Sequence, residues 1–149
     1  MTREEIRASG LAEKEEYSFK DFEQIVRLLR DPDGGCPWDK VQTHKSLTKD
    51  FQNEVNEVFE GIDILDRTGS GENLCEELGD VLLHIVMQAV IAEEEGLFAM
   101  DDVVQGIAQK MIRRHPHVFG DAEADSPEAV LRTWDEIKKR EKAMRKRDK

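Results

Sequence analysis

Two long stretches of helical periodicity, separated by four residues poorly suited to continuing a helix, restrict this chain more than any other feature of its sequence. From Ser46 to about Arg67, Leu47, Phe51, Val55, Val58, Phe59, Ile62 and Leu65 recur at helical spacing and fall on one stripe. The break TGSG follows at Thr68 to Gly71. Leu74, Leu78, Val81, Leu82, Ile85 and Ala89 then form a second stripe, with Leu83, Met87 and Val90 adding apolar surface behind it. A helix apolar almost all round has to be covered on more than one side, centrally in a bundle or at a subunit interface.

The flanking segments follow the same logic. Ser18, with Asp21 three positions on, caps a helix carrying Phe19, Phe22, Ile25, Val26, Leu28 and Leu29. That helix stops before DPDGGCPWD, where Pro32, Gly34, Gly35 and Pro37 interrupt the backbone. Met100 to Arg114 reads as a further helix with Val103, Ile107 and Met111 on one face, ended by Pro116. Ser126, Pro127 and Glu128 open a last, mostly polar helix. No segment alternates like a strand. The expected class is all-α, a helical bundle of about four to five helices. Residues 1–17 are expected as a flexible arm, and residues 18–149 as a single helical domain ending in a basic tail.

At 149 residues, 38% hydrophobic and 37% charged, the chain holds enough apolar material for one core. A formal net charge of -11 disfavours nonspecific nucleic-acid binding. The charge is segregated: Lys138 to Lys149 carries +6 and the remainder -17. This basic run either attracts an anionic nucleotide, contacts another subunit, or stays solvated. The longest apolar run, Val81 to Ala92, is twelve residues against the ~20 of a membrane span, so no membrane association is expected. Cys36 and Cys75 form no CxxC pair, and no apolar leader opens the sequence. A cytoplasmic location is the expectation.

Chemistry concentrates on the two central helices. Glu54 and Glu57 are three apart on the first, and Glu77 and Asp80 are three apart on the second, so each helix presents a pair of carboxylates on one face. Four converging carboxylates repel one another unless a cation sits between them. All-oxygen ligands suit Mg²⁺, with Mn²⁺ as a substitute, and Mg²⁺ sites of this kind usually include substrate phosphates. The alternative is a pair of solvated acidic faces, since 33 acidic residues will often fall three apart. A di-iron site would want a Glu-x-x-His on each of two helices, which His84 does not supply.

These residues carry a family resemblance. NEVNE followed by EELGD resembles the ExxE and ExxD signature of the MazG-type nucleoside triphosphate pyrophosphohydrolases. The segments GGCPWDKVQTHKSL, EEEGLF, KMIRRHPHVFGD and WDEIKKREK are similar to family segments in the same order, over about Phe22 to Lys142. The resemblance implies an all-α enzyme that splits nucleoside triphosphates to the monophosphate and pyrophosphate with Mg²⁺, with nucleotide-pool house-cleaning as the role it suggests. It also implies that Glu54, Glu57, Glu77 and Asp80 are metal ligands, that Lys110 and Arg114 meet the triphosphate, and that Trp134 and Lys138 lie at the nucleotide. Glu54 or Glu57 could instead position the attacking water. The family often has EExxE where this chain has Asn53, a neutral amide that leaves both ligand positions intact but bears on the rate.

Each assignment has a plainer alternative in the residues themselves. Lys110 and Arg114 share a helix face and could reach one pyrophosphate group, or could be ordinary cations near a helix C-terminus. Trp134 either stacks a base or closes the edge of the core. Trp38 is expected to anchor its loop, while Asp39, Gln42, Thr43 and His44 line a pocket or cap the next helix. His84 is either a core histidine or a hydrogen-bond partner of a ligand. His115 and His117, on either side of Pro116, are expected to order that turn. The apolar third helix predicts a homodimer or higher homo-oligomer. Two rival functions are a nucleotide-binding or regulatory module that has lost turnover, and a helical interaction protein.

Overall fold

The computed structural model describes residues 1–147. Its α-helices are α1 (Arg3–Ala8), α2 (Phe19–Leu29), α3 (Thr48–Thr68), α4 (Glu72–Glu94), α5 (Met100–Arg114), α6 (Pro116–Phe119) and α7 (Pro127–Arg147). Among the described residues there is no strand, and no helix is long and apolar enough to cross a membrane. The all-α class and the five long helices agree with the sequence reading; the short α1 and α6 are additional. The last two residues of the basic tail lie outside the described residues. The chain, read from sequence as one domain after an arm, divides into two compact units, Met1–Met100 and Asp101–Lys149.

In the first unit, α2 and α3 both pack on α4. The core sits in the C-terminal half of α4, where Val86, Met87, Ala89, Val90 and Ile91 are buried with Val26 and Leu47. The stop between α3 and α4 has a clear cause. Gly69 adopts φ 75° in the left-handed region and its N–H donates to the Leu65 carbonyl at 2.8 Å, a helix end that favours glycine. Gly61 lets the two helices approach, since a Cβ there would lie 3.0 Å from Asn73 Oδ1 and 3.0 Å from Leu74 Cα.

The outer part of this helical hairpin is less covered than its stripes suggest. Phe59, Ile62 and Leu65 of α3 and Leu78 and Ile85 of α4 are all exposed. Residues 1–17, expected as an arm, instead hold a capped helix. Thr2 Oγ1 accepts from Glu5 N–H and Glu5 Oε2 accepts from Thr2 N–H, a reciprocal capping box. Gly34 admits this segment closely, as a Cβ there would fall 2.8 Å from Ile6 Cδ1.

The loop before α3 is held by polar ties. Arg30 Nη1 donates to the carbonyls of Asp39 at 2.6 Å and Gln42 at 2.9 Å, while its other nitrogens reach Glu94 of α4. His44 Nδ1 lies 2.6 Å from Gln88 Oε1, and Gln88 Nε2 donates back to the His44 carbonyl. Trp38, expected as the anchor, is instead 54% exposed. An arginine that satisfies two carbonyls fixes the loop without burying the indole.

In the second unit, α5 and α7 are joined by ion pairs. Arg113 and Arg114 reach opposite oxygens of Glu141 at 2.5 and 2.8 Å. The Arg114 guanidinium lies 4.9 Å over the Trp134 ring, and His115 meets that ring edge-on at 5.2 Å. His115 Nδ1 lies 2.6 Å from the Met111 carbonyl, which ties the residue at the start of the HPH turn back to α5.

Candidate metal centre

The three-residue spacing on α3 and on α4 does bring four carboxylates together. Glu54, Glu57, Glu77 and Asp80 each contribute an oxygen, and these atoms all lie within 4.8 Å of one another. Glu54 Oε2 and Glu77 Oε2 are sealed from water and have no hydrogen-bond partner. No ion pair to any of the four forms among the described residues.

The electrostatics carry the signature of this crowding. The Glu54 carboxyl is raised above its ordinary value by burial, then by the adjacent charge of Glu57. Glu77 is pushed up to about 7, first by the hydrogen bond it shares with Glu57, then by burial and the charges of Glu57 and Asp80. Two buried orphan oxygens in a set of four converging carboxylates fit a hard divalent cation, which would satisfy the lone pairs and relieve the repulsion together.

The other candidate residues belong to the second unit. Lys110 is half-buried on α5 and Lys138 is exposed on α7. Arg114 is only 9% exposed and Trp134 is half-buried, with the guanidinium on one face of the indole. Trp134 carries this contact within the second unit, while Arg114 Nε keeps a buried donor with no partner.

Asn53, the departure from the family pattern, lines an open cavity of about 740 Å³ with His44, Thr48, Phe51, Gln52 and Gln88. Glu141 is the partner of Arg114 that sequence reading missed: the single acid within the basic run 138–147, its pKa is held at about 2 by hydrogen bonds from Arg114 and Arg113. Its isolation in a basic run was the available signal.

An all-α chain with an all-oxygen site able to hold a divalent cation is the class that this geometry defines. The MazG nucleotide pyrophosphohydrolase domain matches residues 42–119, more than half of the chain. The chain belongs to the MazG nucleotide pyrophosphohydrolase family. The uncharacterized protein YabN of Bacillus subtilis is 48% identical over 126 residues, covering 85% of this chain and 25% of that protein. The nucleoside triphosphate pyrophosphohydrolase/pyrophosphatase MazG of Thermotoga maritima is 43% identical over 128 residues, covering 86% of this chain and 47% of its own. The nucleoside triphosphate pyrophosphohydrolase of Escherichia coli K12 is 41% identical over 121 residues, covering 81% and 44%. This chain therefore spans between a quarter and about half of those relatives. The crystal structure of a MazG-related protein from Thermotoga maritima superposes with a TM-score of 0.61 at 29% identity, over 79% of this chain and 96% of that one.

Proposed function

We propose that this chain hydrolyses nucleoside triphosphates to the nucleoside monophosphate and pyrophosphate in a Mg²⁺-dependent reaction. The observation that carries this reading is the carboxylate quartet with its two buried, unpartnered oxygens, in a chain of the MazG family. Relatives named as nucleoside triphosphate pyrophosphohydrolases support the reaction class.

Glu54, Glu57, Glu77 and Asp80 would hold the cation, with Mn²⁺ as a substitute. Bound there, Mg²⁺ would supply Lewis-acid polarisation of phosphate oxygens and lower the pKa of a coordinated water. The protein's own work is to hold the carboxylates convergent, with Glu54 or Glu57 also orienting the attacking water. Lys110, Arg114 and Lys138 offset the charge on the triphosphate, and Trp134 fixes Arg114 from below through the cation–π contact. Those cationic roles rest on the resemblance of their segments. House-cleaning of the nucleotide pool in the cytoplasm is the setting this chemistry suits.

A homodimer or larger homo-oligomer accompanies this reading, supported by the exposed apolar residues Phe59, Ile62, Leu65, Leu78 and Ile85. Light scattering at micromolar concentration tests it, and a monomer overturns it. The binding-module alternative draws on Asn53, and turnover in the experiment below separates the two readings.

The deciding experiment is product analysis with a panel of NTPs and dNTPs, in Mg²⁺ and in EDTA, beside Glu57→Ala. Monophosphate and pyrophosphate only with metal, and lost in the variant, are expected. Orthophosphate with nucleoside diphosphate, or no product from any nucleotide, overturns the reading.

A further inference from the structure

Next to the quartet lies a smaller recess that the hydrolytic reading does not use. Its volume is about 180 Å³, below the ~300 Å³ at which pockets for drug-sized ligands begin, so it suits one ring system rather than a whole nucleotide. Trp38, Asp39, Asp50, Glu54 and His84 line it, over a floor of Leu47, Leu83 and Met87. Glu54 is common to the recess and the quartet. Asp50 stands one turn before Glu54 on α3 and His84 one turn after Asp80 on α4, so the recess continues the quartet along both helices.

His84 is the second, independent observation. It is 9% exposed, its ring stacks on Phe51 at 5.2 Å, and its Nδ1 is sealed from water with no hydrogen-bond partner. An imidazole nitrogen left in that state lacks a bond that buried polar groups ordinarily make. Trp38 beside it keeps more than half its surface exposed, an indole face open to stacking. Asp39 and Asp50, when ionised, are acceptors only.

From this we propose that the recess seats the nucleobase of the substrate and selects bases bearing an exocyclic amino group. In this scheme Trp38 stacks on the ring, His84 Nδ1 bonds its edge, and Asp50 accepts from the amino group. A base with a carbonyl in place of that amino group would set oxygen against carboxylate, which is repulsive. The inference rests on the pyrophosphohydrolase reading and deepens it by naming the base class.

Two pairs of nucleotides exchange this amino group for a carbonyl, and the adjacent ring nitrogen from acceptor to donor, while keeping their shape: CTP against UTP, and ATP against ITP. The test is kcat/KM for pyrophosphate release from all four, in wild type, Asp50→Asn, His84→Phe and His84→Asn. In wild type the amino-bearing member of each pair is expected to be favoured by about tenfold. Asp50→Asn, on the exposed rim, should bring both ratios towards one, because an amide can also donate. His84→Phe should raise KM for all four substrates, and His84→Asn should recover part of that loss. Should His84→Phe fail to fold by circular dichroism, Asp50→Asn alone decides. Wild-type ratios within twofold of one, or ratios unmoved in Asp50→Asn, overturn the base assignment while leaving hydrolysis intact. Absence of pyrophosphate from every nucleotide overturns the underlying reading instead.

Discussion

Carboxylates occupy opposite electrostatic settings in the two units of this molecule. In the first unit Glu54, Glu57, Glu77 and Asp80 converge with no cationic side chain paired to them, and Glu77 is raised to about 7. In the second, Glu141 is gripped by Arg113 and Arg114 and lowered to about 2. The same functional group is left short of positive charge in one place and saturated with it in the other. A folded chain neutralises the acids that serve its architecture from its own side chains. Acids left crowded and uncompensated are poised for a charge that comes from outside.

The largest expected effect breaks the first setting. Glu57→Ala or Glu77→Gln should lower Mg²⁺-dependent pyrophosphate release by about 100-fold or more, since each removes a proposed ligand and leaves its neighbours misaligned. The next sharpens the contrast through stability. Mg²⁺ at a hundredfold excess over its Kd should stabilise wild type by about 2.7 kcal/mol in a thermal melt, and Glu77→Gln should lose most of that shift. Glu141→Gln should instead lower Tm whether or not Mg²⁺ is present, because it strands two guanidinium groups. Gly61→Ala, which intrudes between α3 and α4, should cost about 1–3 kcal/mol in denaturant unfolding.

The smallest effects are in pH, and the two settings have opposite signs. Glu141, lowered from 4.5 to about 2, contributes stability that is present above 4.5 and lost as pH falls through about 2. Glu77, raised from 4.5 to about 7, contributes stability that is present below 4.5 and lost as pH rises through about 7 in metal-free protein. Melting curves in EDTA across pH 2–8 for wild type, Glu141→Gln and Glu77→Gln check both. Each variant should flatten its own end of the profile, and a Glu77→Gln profile matching wild type above pH 5 would contradict the first setting.

What could be read beforehand follows the range of the interactions involved. α2 to α5 and α7 announce themselves through apolar spacing and through local punctuation such as Ser18, Gly69 and Pro127. The ExxE and ExxD pairs are equally local, since a three-residue step on a helix guarantees a shared face. α1 is only six residues long, and its stripe carries a single apolar side chain, Ile6, so periodicity is silent there. Its capping pair Thr2 and Glu5 was nonetheless in plain view. Arg30 and Glu141 escaped because their meaning lies in partners far along the chain. Arg114 is 27 positions from Glu141, and Glu94 is 64 from Arg30. The 180 Å³ recess needs α3, α4 and the CPWD loop at once, and no single segment encodes it.

The glycine stop between α3 and α4 has a consequence for how this gene can change. Each carboxylate pair is fixed by its phase on its own helix, whereas the connection Gly69 to Gly71 fixes no phase at all. Residues added within that connection leave both pairs facing each other. One residue added between Asp80 and Val86 would turn Glu77 and Asp80 by about 100° against the core half of α4 and scatter the quartet. Drift in length is therefore tolerated at the bend and disruptive to the site further along α4, a boundary that a library of single-residue insertions would map as an edge in activity.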